Sequence, residues 1–166
     1  MYTIKFDKVD IDLNKARIID TLKFLCSEFN VPHNHLHITH GAAAVINGIR
    51  ETTRDIDVCV LSPITWEEFK GIGLVECKRY ELLGLNVGAD VLDFGMVELH
   101  WPDEFDISQD VNVVDGFLVS TNYQILIERI KLGRDKDLEE AIKLIPEHFA
   151  SLPKYLQERA AMLGWV

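Results

Sequence analysis

The sequence predicts an α/β (α+β) domain: a small mixed β-sheet flanked by helices that pack mainly on one side, closed by C-terminal helices. Three observations carry this expectation. Short runs of apolar and β-branched residues, such as 56–61, have strand length and lie between turn signals. Residues 13–29 place Leu13, Ala16, Ile18, Ile19, Leu22, Phe24, Leu25 and Phe29 at helical spacing. Ser120-Thr121-Asn122 is a helix-starting run, and Pro146 and Pro153 mark further helix boundaries.

Taken in order, residues 2–6 alternate like a short strand, and the helix over 13–29 ends at Val31-Pro32. A strand over 36–40, a turn at Gly41 and one or two helical turns over 42–48 follow. After a loop comes the strand over 56–61. A helix begins within 63–70, with Glu67 and Glu68 in its first turn, where acids suit the helix dipole. Strands over 75–83, 87–94 and 96–101, separated by Gly84 and Gly95, form a meander, and 102–110 is an acidic loop. The 166 residues make one domain, 1–166, with a core over about 36–119 and a helical part over about 120–166.

Composition narrows the partners. With 27 acidic and 17 basic residues the net charge is −10, the reverse of a general nucleic-acid binder. A small molecule or a protein suits this charge better than a long polyanion. No stretch has the apolar length needed to cross a membrane, and the N-terminal residues lack the apolar run of a signal peptide. Cys26, Cys59 and Cys77 are scattered, with Cys26 and Cys59 on apolar faces, as expected of buried free thiols in a reducing cytoplasm.

The chemistry concentrates at Asp55-Ile56-Asp57-Val58. Residues two apart on a strand share a face, so two carboxylates project together from the start of an apolar strand. Like charges held together call for a positive group between them, and a hard divalent cation is the usual one. Upstream, His40-Gly41-Ala42 places a glycine at a helix entrance, where backbone N–H groups suit phosphate oxygens. A phosphate-binding turn followed by a metal-binding pair is the arrangement that phosphoryl transfer requires.

The run His40-Gly41-Ala42, spacer, Asp55-Ile56-Asp57-Val58 resembles the motif of the nucleotidyltransferase superfamily, the polymerase-beta-like group that includes small antibiotic and toxin–antitoxin-type nucleotidyltransferases. His40 stands where that family has an apolar residue, and Ala42 where it has Gly or Ser. The resemblance implies a third carboxylate on a later strand. Val97-Glu98-Leu99-His100 offers Glu98, similar to the acid-Leu-His setting of antibiotic-modifying members, and Leu92-Asp93-Phe94 offers Asp93 as the reserve. A further run, Arg134-Asp135-Lys136-Asp137-Leu138, is similar to one that follows a phosphate-contacting helix in the family, and implies Arg129 or Lys131 as the phosphate-facing cation.

On this resemblance Asp55, Asp57 and Glu98 are catalytic and hold two Mg²⁺ ions, with Mn²⁺ as the alternative ion. His40, Gly41, Ala42, Arg54, Arg129 and Lys131 bind the nucleotide. The implied reaction moves an NMP, AMP from ATP, onto an acceptor hydroxyl of a small molecule or protein. The alternative is a protein that kept the fold and lost turnover, acting as a nucleotide-binding or protein-interaction module. His33, His35, His37 and His40 also raise zinc. Strand alternation puts His35 and His37 on one face and His40 on the other, with no cysteine or acid at a ligand spacing, so half-exposed strand histidines are the expectation.

Overall fold

Asn14 starts the first helix, α1 (Lys15–Phe29), by accepting the Arg17 N–H on its side chain at 3.0 Å. Asn30, in the left-handed region at φ 55°, closes it. Ile18, Ile19, Leu22, Leu25 and Cys26 form the buried stripe that the helical spacing predicts. The computed structural model describes residues 12–61, 77–81, 88–93, 97–102 and 109–166. The strand expected at 2–6, the helix within 63–70 and most of the acidic loop lie outside the described residues.

A short 3₁₀ turn, His33–His35, leads into β1 (Leu36–Thr39), all four residues of which are buried. His33, His35 and His40 are half-buried as expected, but the reading of alternating strand histidines is corrected at two positions. His35 belongs to the turn, and His37 is fully buried, with Nε2 2.9 Å from the Ser120 hydroxyl. His33 stacks on Phe117 at 4.5 Å, and its Nδ1 donates to the Asp115 carbonyl at 2.9 Å.

Helix α2 (His40–Ile46) follows directly. The left-handed residue at its entrance is His40, at φ 51°, and not Gly41. Gly41 matters for a different reason, close approach: a Cβ there would lie 3.0 Å from the Thr53 hydroxyl and 3.1 Å from an Arg50 guanidinium nitrogen. The loop back to the sheet is fastened by Thr53, whose backbone exchanges two hydrogen bonds with Leu13.

Strand β2 (Ile56–Val60) buries Ile56, Val58 and Val60 and leaves Asp57 and Cys59 half-buried, the alternation of a strand with one core face. β3 (Cys77–Glu81), β4 (Gly88–Asp93) and β5 (Val97–Pro102) are the expected meander. β6 (Val111–Val114) and β7 (Phe117–Ser120) form a hairpin whose turn, Asp115-Gly116, has positive φ at both positions. The seven strands make one mixed sheet in the order β3-β4-β5-β2-β1-β7-β6. β2 pairs in parallel with β5, and β1 in parallel with β7; the other neighbours are antiparallel.

Thr121 caps α3 (Asn122–Leu132) by accepting the Gln124 N–H, and Gly133 at φ 62° ends it. A 3₁₀ turn, Asp135–Asp137, leads into α4 (Leu138–His148), and α5 (Lys154–Met162) follows Pro153. Pro146 lies inside the last turn of α4 and is not its boundary; the helix continues to His148 because few backbone bonds remain to be lost there. Ile125, Leu126, Ile130, Ala141, Leu144, Leu156 and Ala160 join the same apolar core as α1, α2 and the inner face of the sheet. No helix among the described residues is long and apolar enough to cross a membrane.

Candidate metal centre

The pairing of β2 with β5 builds the site. In register, Asp57 lies opposite Glu98, and Cys59 opposite His100. Directly paired residues share a face, so the face of β2 that carries Asp57 continues across β5 as Glu98 and His100. On the opposite face Ile56, Val58, Val97 and Leu99 are fully buried, which fixes the register and holds the polar row outward. Thr39 pairs with Asp57 on the other side, and the backbone of Asp93 pairs with Glu98. The four residues Thr39, Asp57, Glu98 and Asp93 therefore form one row across four strands.

One carboxylate oxygen of Asp57, one of Glu98 and a ring nitrogen of His100 lie within 4.8 Å of one another. His100 Nε2 is 3.3 Å from Asp57 Oδ1 and 3.7 Å from Glu98 Oε2. Burial alone would raise the Asp57 pKa. The His100 hydrogen bond, the charges of His40 and His100, and a hydrogen bond shared with Glu98 outweigh it, so the carboxyl sits below its ordinary value. Two carboxylates side by side favour a cation between them. This donor set fits a divalent ion: two hard oxygens and an imidazole on one half-buried face.

Asp55 lies one residue before β2 and is exposed, outside this three-residue group. His100, which the sequence reading named only as context for Glu98, belongs to the group instead. Its signal was the two-residue spacing from Glu98, which on a strand means a shared face.

His40 reaches toward the same face from the entrance of α2. Its Nδ1 is 3.6 Å from Glu128 Oε2 of α3, and its charge is among those acting on Asp57. No local sequence pattern marks Glu128, which lies on the helix just before the cations Arg129 and Lys131. Its charge and that of Asp57 act on Cys59, whose thiol is pushed up to about 12, first by burial and then by those two charges. Cys59 is therefore no nucleophile near neutral pH.

At the start of α2, Gly41 and Ala42 are buried. Thr39, the N-cap, makes no side-chain capping bond; its hydroxyl donates to the Asp57 carbonyl at 3.3 Å. Arg54 is exposed, 3.9 Å from Asp12. Lys131 is half-buried in the last turn of α3. Arg129, expected at the phosphates, is 4% exposed. Its Nε donates to Glu140 at 2.9 Å and its other end lies 3.6 Å from Asp137, so its charge is neutralised between α3 and α4. His33, His35, His37 and His40 form no metal-ligating group among the described residues.

No family model matches the chain, and no curated protein gives a significant sequence match. Among solved structures, the chain is similar to the crystal structure of a "putative nucleotidyltransferase from H. pylori". That match has a TM-score of 0.52 and 13% identity, and covers 89% of this chain and 76% of the other. At such identity the likeness concerns the fold alone: a mixed α/β sheet with flanking helices, nucleotidyltransferase-like in architecture.

Proposed function

We propose that the chain is a metal-dependent nucleotidyltransferase that moves an NMP, AMP from ATP, onto an acceptor hydroxyl of a small molecule or protein. The observation that carries this reading is the register of Asp57 beside Glu98 on parallel strands, next to the entrance of α2. Divalent ions held there would neutralise the triphosphate and make an acceptor hydroxyl more acidic. Asp57 and Glu98 would hold the ion, with Asp55 entering from the strand start. Glu98, more exposed than Asp57, would take the acceptor proton. Gly41 and Ala42 would offer backbone N–H groups to the phosphates, and His40 would lie beside them.

A second reading rests on a specific observation. Arg129 is locked in ion pairs and Glu128, not a cation, stands next to His40. A chain that binds nucleotide, or a protein partner, without turnover would tolerate both. Thermal shift with each NTP, with and without Mg²⁺ or Mn²⁺, tests the shared premise. The wild type should be stabilised by one metal–NTP pair, and Asp55→Asn/Asp57→Asn should lose that gain. Turnover is then sought with α-labelled nucleotide; binding without transfer to any acceptor favours the second reading, and no shift with any NTP removes the first and leaves the second as a protein-partner module.

A further inference from the structure

The ion choice of this site is set by a residue that the carboxylate pattern does not contain. We infer that His100 is a direct ligand, so that the row prefers an ion that accepts nitrogen, such as Mn²⁺, over Mg²⁺. The inference rests on the metal-binding part of the proposed function and not on turnover.

Three facts carry it. His100 Nε2 and the oxygens of Asp57 and Glu98 form the one group of metal-ligating side chains found among the described residues. Donor atoms in neighbouring positions on an octahedral ion at about 2.1 Å are about 3 Å apart. The 3.3 Å and 3.7 Å separations from His100 Nε2 exceed that spacing by less than one ångström, within reach of a side-chain rotation. The imidazole is also held in place by the strand: it is two residues from Glu98, in register with Cys59, and half-buried, so it cannot swing clear of the carboxylates without leaving its face.

The chemistry then discriminates between ions. Mg²⁺ is hard and takes oxygen ligands, retaining several waters; an imidazole in its first coordination sphere is a poor substitute. First-row transition ions accept nitrogen and oxygen together, with affinity rising from Mn²⁺ onward. Of these, Mn²⁺ shares the octahedral geometry and oxygen affinity that a triphosphate requires. On binding, His100 Nε2 gives up its hydrogen bond to Asp57 Oδ1 and offers its lone pair to the ion, its proton residing on Nδ1.

The competing account makes His100 a hydrogen-bond donor that merely orients Asp57. The two differ in whether nitrogen touches metal. The full chain is titrated with Mn²⁺ alone, free ion being followed by electron paramagnetic resonance, and the bound form is measured by electron spin-echo modulation. Directly bound imidazole nitrogen should give its characteristic modulation in the wild type and none in His100→Gln. Mn²⁺ affinity should fall about tenfold or more in that variant, while Mg²⁺ affinity, from competition, changes less than threefold. Bound Mn²⁺ without nitrogen modulation, equal losses for both ions, or no Mn²⁺ binding at millimolar concentration each overturn the inference. Nitrogen-ligated Mn²⁺ in a protein that no NTP stabilises leaves the inference standing and sinks the nucleotidyl-transfer reading. NTP stabilisation with Mg²⁺ and no nitrogen signal does the reverse.

Discussion

His37 shows what a single buried side chain can do to the stability of this fold. It is fully buried, bonded through Nε2 to Ser120, while its Nδ1 finds no partner. Burial, and then the charge of His40, hold its pKa down to about 4 from an ordinary 6.5. The unfolded chain therefore binds a proton that the folded chain refuses between those values, and stability falls as pH drops from about 6.5 to about 4. A shift of that size corresponds to about 3 kcal/mol across the window. Urea midpoints measured from pH 7 to pH 4.5 should fall more steeply in the wild type than in His37→Asn; parallel slopes would show that His37 is not the group responsible. Gly41 makes a second point at this scale. A Cβ there would need Thr53 and Arg50 to give by a few tenths of an ångström. The sequence marked Gly41 as special, but for a turn; the turn is made by His40, and the tight approach comes from a loop whose path no local pattern records.

Helices and strands divide by how local their determinants are. The Thr121 cap and the apolar stripe of α1 were legible because each needs only residues within a few positions. The role of Arg129 was not. In sequence it is one basic residue in a charged stretch; in the fold, Asp137 and Glu140 of the next helix turn back onto it, and Glu140 also takes Arg50 from the α2–β2 loop at 3.3 Å. This cluster joins three elements around a buried guanidinium. Without the cation Asp137 keeps Arg134, at 2.8 Å, and Glu140 keeps Arg50, but each loses its buried partner, so Arg129→Met should destabilise by about 3 kcal/mol. A loss below 1 kcal/mol in a denaturant titration would mean that the acids relax to solvent. The end of α3 is equally specific: at Gly133 a Cβ would lie 2.8 Å from Arg159, which itself caps α3 by donating to the carbonyls of Ile130 and Lys131. Gly133→Ala should therefore lower the melting temperature, with a cost of about 1 kcal/mol or more.

At the scale of the molecule, the sheet order decides what the residues can do together. Alternation within β2 and β5 was readable, and so was the meander that carries Glu98 toward Asp57. That β5 lies parallel beside β2, in a register that sets Glu98 against Asp57 and brings in His100, depends on pairing between distant segments and on the core beneath them. Asp55 illustrates the boundary between the two kinds of information: two residues from Asp57 in sequence, it falls just before the strand begins and lies outside the group. The central claim is that the row of Asp57 and Glu98 binds a divalent ion together with a nucleotide. Calorimetric titration of ATP into the wild type and into Glu98→Gln, with Mn²⁺ and then with chelator, tests it most directly. The account predicts metal-dependent binding that weakens at least tenfold in Glu98→Gln, while circular dichroism shows an unchanged fold. ATP binding that is equally tight with chelator, or indifferent to Glu98, would contradict it.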